Sequence, residues 1–143
     1  EIKSDHPLMI EFLDIVDRIR SASSERDVPT PMRDRLNEIA LPLLREIEGV
    51  ILDLGESTLV RRVLMEVLSQ FEEEAVRIFL MRLFSDPREE SVVREKAFEL
   101  LLPYSQKDEY RERMTRELLV ILEYEQDSTV RKRIRDVVGG KVK

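Results

Sequence analysis

The chain has 143 residues, 42% of them apolar and 38% charged, with a formal net charge of −6, no cysteine, no tryptophan and one histidine, His6. That apolar content over one domain length supports a core and excludes wholesale disorder. The missing cysteines exclude thiol nucleophiles, disulfides and thiolate-held metals, and the lone histidine excludes a multi-histidine metal site within one chain.

No apolar run approaches the ~18 residues of a membrane span. Only four glycines are present, two of them the pair Gly139-Gly140, too few for the turns of an all-β fold. The chain begins at Glu1 rather than Met, which suggests a piece of a longer protein. The net charge disfavours general nucleic-acid binding. It is uneven: net −5 over 1–70, −6 over 71–128 and +5 over 129–143.

In chain order the periodicity predicts helices over 7–22, 31–41, 42–54, 57–71, 73–85, 88–103, 107–125 and 127–138, and no strand. His6 precedes Pro7 and reads as a cap of the first helix. The longest loop is 23–30. Pro42 marks a helix start or a kink. Gly55 reads as a left-handed helix end. Asp86-Pro87 reads as an N-cap with proline at the first helical position. Pro103 is expected to end its helix. Ser105 with Asp108 approximates a capping box, and Asp127 or Ser128 caps the last helix. Gly139 onward is read as a flexible basic tail to residue 143.

Three of these helix starts align without gaps: Ser57-Thr58-Leu59-Val60-Arg61, Glu90-Ser91-Val92-Val93-Arg94 and Asp127-Ser128-Thr129-Val130-Arg131. A weaker fourth copy is Pro29-Thr30-Pro31-Met32-Arg33. Each Val-Arg leads an apolar stripe: Leu64, Val67 and Leu68; Ala97, Leu100 and Leu101; Ile134, Val137 and Val138. The weak copy leads Leu36, Ile39 and Ala40. Spacings of four, seven and eight define one face of a helix. Between the copies lie helices with wider apolar arcs, such as Ala75 to Phe84 and Leu118 to Leu122. A helix so widely apolar is expected to be covered on two sides.

An apolar helix, Asp86-Pro87, Val93-Arg94, Ala97 and Leu100-Leu101, repeated in weaker form along the chain, resembles the HEAT repeat family, relatives of armadillo repeats. The resemblance implies an all-α fold: a right-handed α-solenoid, or superhelix, of about four antiparallel helix pairs forming one domain over 1–143. It also implies that the second helices (31–41, 57–71, 88–103, 127–138) line a concave face. The repeat offsets of 28, 33 and 37 residues are short and variable for the family.

Arg33, Arg61, Arg94 and Arg131 admit two roles. They could form a cationic ladder for an acidic peptide or phosphates. They could also form a structural ladder between repeats, pairing with turn acids such as Asp53, Asp86 and Asp127; the resemblance favours the structural role. Arg62, Glu66, Gln70, Glu95, Lys96 and Glu99 fall off the apolar stripes and are the candidate protein-binding residues. Arg131, Lys132, Arg133 and Arg135, with Lys141 and Lys143, form a candidate basic patch for nucleic acid or anionic lipid. No aromatic residue stands among them to stack on bases.

The acidic runs at 72–74 and 89–90 complement helix dipoles. Phe71, Phe79, Phe84, Phe98 and Tyr104 read as core. No catalytic, metal or cofactor site is expected. The reading is a non-catalytic, cytoplasmic binding scaffold for another protein or peptide. An assembly module that self-associates through its end helices is the alternative, and nucleic-acid or lipid contact through the basic helix is a lesser one.

Overall fold

The structure, a computed structural model, describes Lys3 and residues 5–140 and is all-α. Eight α-helices occur among the described residues: α1 (Pro7–Arg20), α2 (Thr30–Ile39), α3 (Leu44–Leu52), α4 (Thr58–Ser69), α5 (Glu74–Ser85), α6 (Ser91–Ser105), α7 (Asp108–Tyr124) and α8 (Ser128–Val138). Short 3₁₀ turns cover Glu25–Asp27 and Leu41–Leu43. The chain divides into two compact units, meeting between Val76 and Arg77 within α5.

In the first unit α1 packs on α2 and α4, and α4 packs on α2 and α3. Phe12, Ile19, Leu36, Ile47, Ile51, Leu64 and Leu68 are fully buried there. The stripe Val60, Val63, Leu64, Val67 and Leu68 is buried throughout, as its spacing requires. In the second unit α7 packs on α6 and α8. Val93, Ala97, Leu101, Leu118 and Ile134 are buried. Phe84 and Phe98 meet with ring centroids 5.2 Å apart. Of the five aromatic residues read as core, Phe71 is only half-buried and the other four are buried.

Helix ends follow local chemistry, with five corrections. His6 Nδ1 accepts from Leu8 N at 3.1 Å, and Asp127 accepts from Thr129 N and Val130 N, so both caps form as read. Gly55 is not left-handed; Gly140 is the positive-φ glycine, at 73°. Instead Gly55 N donates to Asp53 Oδ1 at 2.9 Å in a local turn.

Asp86-Pro87 belongs to the turn before α6, where Asp86 Oδ1 accepts from Arg88 N; the N-cap is Glu90. Pro103 lies inside the last turn of α6 rather than ending it. The helix continues because Tyr104 is buried and stacks edge-on against Tyr110, with centroids 5.1 Å apart. Ser105, the last residue of α6, donates to Leu102 O, so no capping box forms with Asp108. Pro42 lies in the second 3₁₀ turn, and α3 starts only at Leu44.

Candidate interaction surface

The Val-Arg pairs hold one register. Counting from the N-cap, Arg33, Arg61, Arg94 and Arg131 are each the fourth helical residue. A cation there stands at the positive end of its own helix dipole, which is unfavourable. Each side chain turns back to the element before it. Arg61 Nε donates to Ile51 O at 2.7 Å, and Arg94 Nε to Phe84 O at 2.8 Å. Arg131 Nη1 donates to Leu122 O at 2.6 Å and Glu125 O at 3.1 Å. Arg33 Nη2 donates to Glu25 O at 2.8 Å.

For α4, α6 and α8 the acceptors are carbonyls at the C-terminal end of the preceding helix. These have no partner inside their own helix and carry the negative end of its dipole. Arg61 is fully buried and Arg94 is 6% exposed, so this ladder is structural.

The turn acids bond chiefly elsewhere. Asp53 and Asp86 bond within their own turns, and Asp127 caps α8. The carboxyl of Asp86 is held below the usual range mainly by the side chain of Arg88, although Arg94 lies close enough for its charge to help lower it. The acids that meet the ladder include Glu66, 3.2 Å from Arg33, Glu125, which pairs with Arg94, and Glu56, whose carboxyl feels the charge of Arg61. Glu125 Oε2 also accepts from Asp127 N at 3.1 Å.

Two arginines in the same register escaped the sequence reading. Arg111, fourth in α7, donates to Ser105 O and Gln106 O at the end of α6. Its signal is Tyr110-Arg111 standing where the other copies have Val-Arg. Arg77, fourth in α5 and 1% exposed, makes a two-pronged pair with Glu117 at 2.6 and 3.1 Å. Its signal is one cation inside an apolar run.

The candidate protein-binding residues divide by unit. On α4, Arg62 lies 3.3 Å from Glu25, Glu66 holds Arg33, and Gln70 Nε2 donates to Asn37 Oδ1 at 3.2 Å. These bonds tie α4 to α2 and to the loop before it. Arg62 also borders a shallow open depression of about 520 Å³ with Ser23, Ser24, Glu25, Arg26, Thr58 and Leu59. On α6, Glu99 is exposed and Glu95 half-buried. Lys96 was expected to be exposed and is 7% exposed. It lies between Val93 and Leu100 at spacings of three and four, so its stem is covered while Nζ reaches Glu99 at 3.1 Å.

The basic patch on α8 is also engaged. Arg131 belongs to the ladder, Lys132 pairs with Asp136 at 3.1 Å, and Arg133 pairs with Glu95 at 2.8 Å and lies over the Phe98 ring. Arg135 is exposed. Lys141 and Lys143, with most of the expected tail, lie outside the described residues.

Exposed apolar side chains correct the expectation that the widely apolar helices between the copies, α5 and α7 among them, are covered on two sides, and α1 exposes apolar side chains as well. Ile10 and Leu13 on α1, Ile78 on α5, and Leu119, Val120 and Tyr124 on α7 all reach solvent. No group of three or more metal-ligating side chains occurs among the described residues, and no helix there is long and apolar enough to cross a membrane. Comparison with protein-family models, with curated proteins and with solved structures returned no match.

Proposed function

We propose that the chain is a non-catalytic protein-binding module, its helix pairs continuing one HEAT-like right-handed solenoid. The observation that supports this reading is the arginine four residues into α2, α4, α6 and α8, each bonded back to the element before it. A shared register and a backward bond at four helix starts support a repeated unit, and in α4, α6 and α8 the acceptors are end carbonyls of the preceding helix. Stacked units present extended surface, whose usual use is recognition of peptides and proteins. Binding is assigned, within each unit by itself, to α4 around Arg62, Glu66 and Gln70 and to α6 around Glu95 and Glu99. Mixed charge there suits a partner helix of mixed charge better than a polyanion.

Photo-crosslinking amino acids at Gln70 and Glu99, with Asp14 on α1 as control, test the assignment in cells. A discrete adduct from either test position and none from the control supports it. Adducts from the control alone refute it. The nucleic-acid reading ranks lower because three of the four described cations on α8 are engaged within the protein.

A further inference from the structure

The outer face of α7 carries an apolar strip that the protein leaves uncovered: Leu119 is 45% exposed, Val120 57% and Tyr124 75%. At 100° per residue these three, with Arg116 and Glu123, share an arc of roughly 140°. Arg116 is one turn before the apolar pair and Glu123 one turn after it, and both are exposed. Beside the strip, Pro87, Val120, Ile121 and Tyr124 line an open groove of about 340 Å³.

From 116 to 123 the order along this arc is cation, apolar pair, anion, with a centre midway between Leu119 and Val120; the exposed Glu112, 4.0 Å from Arg116, and Arg113 lie on the same arc further toward the N-terminus. Arg116 and Glu123 stand equally far from that centre on opposite sides. Laid antiparallel on a second copy about a two-fold axis there, Leu119 meets the other copy's Val120. Arg116 then meets its Glu123 at both ends. A parallel pairing would put like charges opposite each other, and so would an antiparallel pairing shifted to superpose the two Arg116 positions.

We propose that a second copy of this chain covers the outer face of α7, in an antiparallel two-fold dimer centred between Leu119 and Val120. The charge order supplies the complementarity, and a two-fold interface requires one patch to match itself. None of these residues belongs to the binding assignment above, so this inference stands or falls independently of it. A contact built on one helix per copy falls in the smallest class of interface, below about 1,200 Å² in total, so the dimer is weak.

Sedimentation equilibrium of the full chain from low micromolar to millimolar concentration tests it, with circular dichroism to verify folding of each variant. The parent should pass from monomer to dimer across that range. Val120→Glu should raise the dissociation constant by roughly tenfold or more, whereas Val92→Glu, at an exposed apolar position on α6, should leave it unchanged. Arg116→Glu should weaken the dimer, and adding Glu123→Arg to it should restore the parent constant. Arg116 and Glu123 are two turns apart in one chain, so restoration requires pairing between copies. A parent that stays monomeric throughout overturns the proposal, as does a dimer insensitive to Val120→Glu. So does a charge-swapped double variant no tighter than Arg116→Glu alone.

Discussion

Replacing Arg94 with Met tests the arginine joint. The side chains of Arg94 and Glu125 are only 7% and 5% exposed, and Arg94 Nε also satisfies Phe84 O. Methionine fills most of the volume, so packing is nearly kept. What is lost is a charged hydrogen bond to a helix-terminal carbonyl, about 1.5–3 kcal/mol. What remains is the larger fault, a buried carboxylate without its cation, for which breaking one side of such a pair costs about 3–5 kcal/mol. The terms overlap, so about 3–5 kcal/mol is expected in all, or a Tm lower by roughly 10 °C or more.

Urea unfolding followed by circular dichroism measures the loss. The double variant Arg94→Met, Glu125→Gln removes the stranded charge and keeps an acceptor for Asp127 N. It should regain more than half of what the single variant loses. A loss below about 1 kcal/mol for Arg94→Met, or a double variant no more stable than the single one, would refute the view that this pair is the joint.

Four further outcomes follow from burial and charge. Leu101→Ala empties a fully packed site on α6 and should cost about 2–5 kcal/mol by denaturant unfolding. Lys96→Glu puts an acid in a covered position facing Glu99 and should lower the melting temperature clearly. Arg62→Glu, at a half-exposed site, should change stability by about 1 kcal/mol or less. The carboxyl of Glu56 is held below the usual range, chiefly by its hydrogen bond from Arg20. Its folded value is lowered, so its contribution is full above the unfolded value near ~4.3 and fades as pH falls through the folded value. The stability gap between the parent and Arg20→Gln should therefore be constant from neutral pH to about 5 and close below about 4. A gap that widens on acidification contradicts the assignment.

Helix existence and buried stripes were legible because both rest on period. Val60, Val63, Leu64, Val67 and Leu68 declare one face whatever they pack against, and all five are buried. Caps were legible where the chemistry is strictly local, as at His6 and Asp127. They were misread where a tertiary contact decides. Pro103 should end a helix on backbone grounds, yet burial of Tyr104 against Tyr110 carries α6 past it. Lys96 should be exposed on a helical wheel, but a wheel does not show how far a neighbouring element overlaps the stripe's edge. The arginine ladder was visible as a repeat. Its acceptors were not, because backbone carbonyls leave no mark in a sequence, and only the acidic side chains nearby invited pairing.

That ladder bears on where recognition is to be sought. An arginine in the first turn works against its own helix, so its recurrence points to the joint rather than the helix as the selected feature. Arg61, Arg94 and Arg131 are bonded to carbonyls and Arg33 to Glu25 and Glu66, so the most regular cations of the chain are already engaged within the protein. Lys96, Lys132 and Arg133 are similarly held by neighbouring acids. Surface charge in this protein pairs both within helices and between them. The groups that water alone satisfies poorly are the apolar ones on α1, α5 and α7, and on α7 they are bracketed by an exposed cation and an exposed anion. Burial of apolar area drives association, whereas exposed ion pairs mainly set orientation. The α7 strip carries both components on one helix face, which makes it the sharper target for a first binding experiment than the charged residues of α4 and α6.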